Sequence, residues 1–308
     1  MIAAGDCIDF VASQTDTCIL MCSLGKDSIV TLDLIYPKFK KIYAVFMSFV
    51  HGLEHVERWK KWVVAKYPNV EMIEIPHWNL TYILRSGLYC TPHPKQRLLK
   101  LADVVKALRL KYNTQWVFLG MKKADSMNRN LMITRFKDAH YTDNYQAYPL
   151  AEFSQKQILS YMKMHNLPEP VMYSLSTAGD DAKVGKASNG IGFNLDCFLW
   201  LREYYPQDLE KIYTTFPLSQ RILAEYDFQQ QRKAELEAKE AAERFKTFVR
   251  SYDIDPLDMG WLSIDGNITG IVAYFKDGHE ERLSLVDFLS FGKKKKNDLI
   301  KIDCYTNE

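Results

Sequence analysis

The run Cys18-Ile-Leu-Met-Cys-Ser-Leu-Gly-Lys-Asp-Ser-Ile-Val-Thr-Leu-Asp-Leu-Ile35 constrains the fold more than any other stretch. Its first five residues are apolar, the length of a strand buried on both faces. Ser23 to Ser28 turn the chain, and Ile29, Val30, Leu32, Leu34 and Ile35 then line a helix that Tyr36-Pro37 stops. A strand that passes through a glycine turn into a helix start makes an anion site. Orphan amides converge there, the helix dipole adds partial positive charge, and Gly25 admits a close approach. Lys26 adds a cation, and Ser23 and Ser28 add hydroxyl donors. An ordinary turn in which Asp27 or Ser28 caps the helix would use the same residues for structure alone.

The following segments set this turn in a sheet. Residues 41–50 are rich in β-branched and aromatic side chains and form the second strand. Glu54 to Tyr67 is a helix with Val56, Trp59, Val63 and Val64 inward, and residues 70–75 alternate as a third strand. Trp116 to Leu119 is a fourth. Strands alternating with helices predict an α/β fold, a doubly wound and mainly parallel five-stranded sheet with right-handed crossovers. Ligands of such sheets sit at the carboxyl ends of the strands, which puts residues 23–28, 48–54 and 120–129 on one rim. His51 and Glu54 lie on that rim, as a loop histidine and a helix-start carboxylate. Between Arg85 and Lys100 two prolines and a glycine give an irregular loop, in which Arg85, Lys95, Arg97 and Lys100 are possible anion contacts or a solvated basic surface.

The turn Ser23-Leu24-Gly25-Lys26-Asp27-Ser28 resembles the PP-loop, Ser-Gly-Gly-Lys-Asp-Ser, with Leu24 in place of the first glycine. That loop belongs to the N-type ATP pyrophosphatases and the phosphoadenosine-phosphosulfate (PAPS) reductases, within the adenine nucleotide alpha hydrolase-like superfamily. Gly120-Met-Lys-Lys-Ala-Asp-Ser-Met-Asn-Arg129 is similar to the family's Gly-x-Arg-x-x-Glu-Ser-x-x-Arg, with Lys122 for arginine and Asp125 for glutamate. Cys90-Thr91 with Lys100, and Tyr148-Pro149 before a helix that Ser154 caps, match further family positions. The resemblance spans about residues 15–205 and implies a Rossmann-like nucleotide-binding enzyme.

It implies ATP or PAPS as the bound nucleotide, with Mg2+ where ATP is split between its α- and β-phosphates. Ser23, Leu24, Gly25, Lys26, Asp27, Ser28, Gly120, Lys122, Lys123 and Arg129 would hold phosphate, with Lys26 and Asp27 also catalytic. The PAPS reductases attack the sulfur of their substrate with a cysteine near the C-terminus, and a thioredoxin-like reductant then releases sulfite. Lys301-Ile-Asp-Cys304 matches the start of their Lys-x-Glu-Cys-Gly-Leu/Ile-His motif, but the glycine and histidine positions hold Tyr305 and Asn307. Cys304 is therefore a candidate nucleophile or a coincidence. A nucleotide-sensing module without turnover is a third reading.

Residues 1–215 form the nucleotide-binding domain in this reading. Residues 216–250 have strong helix formers and little apolar content, a helical linker, and 251–308 make a small C-terminal region. Its alternation from Trp261 to Leu285, with turns at residues 265–267 and 276–278, predicts two or three antiparallel strands. Lys293 to Lys296 reads as a solvated basic run. The glycine-rich segment 172–193 is expected to cover the site.

Forty basic against 38 acidic residues leave +2, so no global field argues for nucleic acid or membrane, and a local basic groove stays open. No apolar run approaches the roughly 20 residues of a membrane span, and the N-terminus lacks a secretory signal; cytoplasm is the expectation. Six cysteines without a C-x-x-C pair argue against an iron–sulfur cluster or structural zinc. No resident metal is expected, and a homo-oligomer remains open.

Overall fold

The computed structural model describes residues 2–136, 140–168, 191–251, 270–283, 287 and 298–305. They fall into two compact units, Met1–Leu223 and Ala224–Glu308.

The first unit opens with helix α1 (Ile2–Gln14) and continues β1 (Thr17–Met21), α2 (Lys26–Ile35), β2 (Lys41–Ser48), α3 (Glu54–Lys66) and β3 (Val70–Pro76). There follow α4 (Leu80–Ser86), α5 (Leu101–Tyr112), β4 (Val117–Leu119) and α6 (Met127–Thr134). The short strands β5 (Tyr141–Thr142) and β6 (Gln146–Ala147) come next. Helices α7 (Gln155–Met164), α8 (Leu195–Tyr204) and α9 (Pro206–Thr215) complete the unit, and α10 (Arg221–Ser251) leads out of it.

The sheet order is β3-β2-β1-β4-β6-β5, parallel except for the β5–β6 pair. This is the expected mainly parallel α/β sheet, with six strands rather than five. The extra strands have two residues each, too short to leave a period of two in the sequence. Strand alternation feeds two cores. Cys18, Leu20, Ile42, Ala44, Phe46 and Phe118 pack on one face with Ile29, Leu32, Val63 and Ile158. Ile19, Val45, Val117 and Leu119 pack on the other with Val105, Leu108 and Ile133.

Three local expectations need correction. Helix α2 begins at Lys26, a turn earlier than its apolar stripe, so Lys26 and Asp27 stand in its first turn. Val64 is 47% exposed, because Val63 already fills the inward position one residue earlier. Helices α4 and α9 lie where no helix was expected, α4 just before the irregular loop and α9 directly after α8.

In the second unit, β7 (Gly270–Phe275), β8 (Glu280–Leu283) and β9 (Leu299–Tyr305) form an antiparallel sheet ordered β8-β7-β9. Gly278, at φ +87°, turns the β7–β8 hairpin, a left-handed conformation that glycine adopts without steric cost. The turn at 265–267, the Lys293–Lys296 run and the glycine-rich cover up to residue 190 lie outside the described residues.

Candidate functional site

Strand order locates the site before any side chain is considered. From β1 the chain moves outward through β2 and β3, then returns to the other side of β1 for β4. Crevices form at such a reversal, at the carboxyl ends of the strands. Met21 and Leu119 are register partners, so the segments that follow them, 22–28 and 120–126, leave the sheet at the same level.

The first segment is an open helix start. The N-cap of α2 is Gly25, and no side chain caps the helix. Among the described residues, no backbone carbonyl accepts the amides of Gly25, Asp27 or Ser28. The Ser28 hydroxyl donates to the Gly25 carbonyl at 2.9 Å and lies 3.5 Å from the Ser23 hydroxyl. Leu24 sits at φ +60° with its side chain in the core. A left-handed residue with a Cβ costs about 1–2 kcal/mol, and burying a leucine returns about 1.5–3 kcal/mol. The turn thus keeps a glycine-like backbone without the glycine. Beneath it, burial lifts the Cys22 thiol to about 11, with the Leu24 backbone and the nearby Ser28 side chain working in the opposite direction. This sulfur is packing, not a nucleophile.

The second segment meets the first directly. A Cβ on Gly120 would stand 3.0 Å from both the carbonyl carbon and oxygen of Asp27, so only glycine fits there without a shift. Lys122, its side chain 3% exposed, reaches Asp27 at 2.7 Å and Asp125 at 2.8 Å. Asp27 also lies 3.3 Å from Lys26, and Asp125 accepts from Arg129 at 2.6 Å. The result is one chain of alternating charge, Lys26–Asp27–Lys122–Asp125–Arg129. Burial works to raise the Asp125 carboxyl, and its contacts with Lys122 and Arg129 outweigh burial and lower it. Asp27 is no helix cap; its carboxylate bridges two cations. Lys123 turns away and pairs with Glu152.

The other candidates are not drawn in. Arg85, Lys95, Arg97 and Lys100 are all exposed in or beside the loop before α5, and Lys100 serves as the N-cap of that helix. Cys90, within the same loop, is buried. Glu54 pairs with Arg58 one turn along α3, as a helix-start carboxylate does. His51 lies 2.9 Å from Glu74. Cys304 is a residue of β9, register partner of Ile271.

Sequence reasoning missed the groups that hold the next rim loop. His77, at the end of β3, is 8% exposed, stacks on Phe49 at 4.5 Å and accepts the Asn79 amide on Nδ1. Burial lowers its pKa to about 4, which keeps it neutral. Asp208 of α9 is 1% exposed and binds the amides of Glu54 and His55 and the His55 ring. Nothing in Tyr-Pro-Gln-Asp208 points to a partner 154 residues earlier; an alternating-burial pattern offers no sign of it.

The model of the phosphoadenosine phosphosulfate reductase domain matches residues 17–179, just over half of the chain. The chain belongs to that family. Solved structures similar in fold include the phosphoadenylyl-sulfate (PAPS) reductase of Candida auris in a phosphate complex, 12% identical, TM-score 0.40, covering 56% of this chain and 84% of that one. The U34-tRNA thiolase NcsA of Methanococcus maripaludis, with its 4Fe-4S cluster, is 12% identical at TM-score 0.34 and covers 68% and 72%. The NH3-dependent NAD synthetase of Campylobacter jejuni, in complex with nitrate, is 14% identical at TM-score 0.34 and covers 74% and 95%. No curated protein matches the chain. Among the described residues no helix is long and apolar enough to cross a membrane. Cys7, Cys18, Cys22, Cys90 and Cys197 are buried free thiols, and no described group of three or more His, Cys, Asp or Glu residues could hold a metal.

Proposed function

We propose that the chain is an enzyme that binds an adenine nucleotide by its phosphates at the β1/β4 crevice and acts in sulfonucleotide chemistry. The observation that carries this reading is the uncapped start of α2, with Lys26 and Lys122 gathered on one carboxylate beside it. The amides of Gly25, Asp27 and Ser28 and the serine hydroxyls would cradle phosphate oxygens. Lys26 and, behind it, Lys122 would neutralise their charge, and Arg129 holds Asp125 in place for Lys122. Positioned charge is the main protein contribution to such transfers. Magnesium, where used, would arrive on the phosphates of the nucleotide, since the Asp27 carboxylate is already neutralised by two lysines. In this reading the Cys304 thiolate would attack the sulfur of bound PAPS, break its bond to the phosphate oxygen and expel adenosine bisphosphate. A thioredoxin-like dithiol would then reduce the resulting S-sulfonate, becoming a disulfide and releasing sulfite.

A second reading is an ATP pyrophosphatase that transfers AMP to an acceptor and releases pyrophosphate. It is favoured by the place of Cys304 within a strand ladder and by Tyr305 and Asn307 in the motif's glycine and histidine positions. A thermal-shift panel of ATP, PAPS, adenosine phosphosulfate and AMP tests the nucleotide, because a ligand of the folded state raises its melting temperature. Turnover then separates the two reactions. Loss of sulfite release from PAPS in Cys304→Ser supports the first and unchanged release sinks the role of Cys304 in it, whereas pyrophosphate release from ATP that Lys26→Ala abolishes supports the second.

A further inference from the structure

The wall beside the phosphate cradle is held from outside the family match. Cys22 donates to the Val45 carbonyl at 2.8 Å, so β2 runs directly alongside the start of the cradle. The loop that follows β2, residues 49–53, forms the neighbouring stretch of rim. It has no regular structure of its own, and Gly52 turns it at φ +71°. Helix α9, beyond residue 179 where the family match ends, grips the far end of this loop. Asp208 Oδ1 accepts the Glu54 amide at 2.8 Å, and Oδ2 accepts the His55 amide at 3.3 Å. His55 Nδ1 lies 2.9 Å from Oδ2; facing a carboxylate, it must donate. Lys211 bridges Asp208 Oδ1 at 3.2 Å and the Gly52 carbonyl at 2.6 Å. A carboxylate this deeply buried needs partners for its oxygens; among the described residues they lie on the first turn of α3 and on α9 itself, and the loop is reached through Lys211 at the Gly52 carbonyl.

We infer that Asp208, with Lys211, is a positioning residue for nucleotide binding: it pins the β2–α3 loop beside the phosphate cradle, so the site is complete only with α9. The inference rests on the nucleotide reading above. A plain helix cap would stabilise α3 and leave affinity alone. The test measures ATP and PAPS dissociation constants and melting temperatures for the full chain and for Asp208→Ala, Asp208→Asn and Lys211→Met. Asp208→Ala is expected to weaken binding at least tenfold. Asp208→Asn keeps an acceptor for the Glu54 amide and should recover most of that loss. Lys211→Met, which frees the Gly52 carbonyl and removes one partner of Asp208 Oδ1, should weaken binding about threefold. Wild-type affinity in Asp208→Ala overturns the inference; should that variant fail to fold, wild-type affinity in Lys211→Met does so. If the unaltered chain binds neither nucleotide, the nucleotide reading falls and takes this inference with it.

Discussion

Two helices begin at the same rim, one strand apart, and they treat their first amides in opposite ways. At α3 the protein supplies its own anion: Asp208 fills the start of the helix and is buried with it. At α2 no side chain caps the helix, and the nearby carboxylate, Asp27, faces lysines instead of amides. Only the first meets, within the protein, the electrostatic demand of a helix N-terminus. An internal carboxylate gives a fixed joint. An uncapped start flanked by cations leaves the demand to be met by something else, and that difference separates the part of the rim that holds from the part that can receive.

The largest expected effect is on the α2 side. Lys122→Met removes a buried cation from between Asp27 and Asp125, and breaking a buried pair costs about 3 kcal/mol; urea denaturation should register it, and a loss below about 1 kcal/mol would mean that the network is not a unit. Next, Lys26→Ala should lower nucleotide affinity about ten- to a hundredfold by titration calorimetry, the worth of a hydrogen bond to a charged group. An equal loss in a variant of exposed Arg85 would show instead that the loop before α5 is the anion site.

The smallest effect concerns acid. Burial acts to raise the Asp208 carboxyl, but His55, the two amides and Lys211 prevail and hold it at about 2. The unfolded value is about 3.9. The folded state therefore binds fewer protons in this window, so the Asp208 contribution is complete above about pH 4 and is lost as pH falls toward 2. Between pH 5 and 2.5 the urea midpoint of the natural chain should fall further than that of Asp208→Asn. Parallel curves would mean that the joint at α3 is not electrostatic.

The legible parts of this molecule were local. The strand Thr17–Met21, the turn after it and the Gly120–Arg129 segment each carry their pattern within about ten residues, and the alternation of strands with helices orders them in space. The charge chain was half legible: Lys122 and Asp125 stand out by spacing, but their shared use of Asp27 depends on β4 lying beside β1. Asp208 was not legible, because an acidic residue in a first helical turn ordinarily serves its own helix. Cys304 can be read two ways. Four loosely matched residues suggest a reactive tail, while the same residues have the composition of a strand and pair as one.

At Gly120 the segment after β4 closes on the main chain of Asp27, and the Thr31 hydroxyl stands 3.1 Å from where a Cβ would be. A rotamer is the usual slack in such a joint, the part that gives when one partner moves. Gly120 has no rotamer to give, so a bulkier residue here would force the first turn of α2 and the segment after β4 apart.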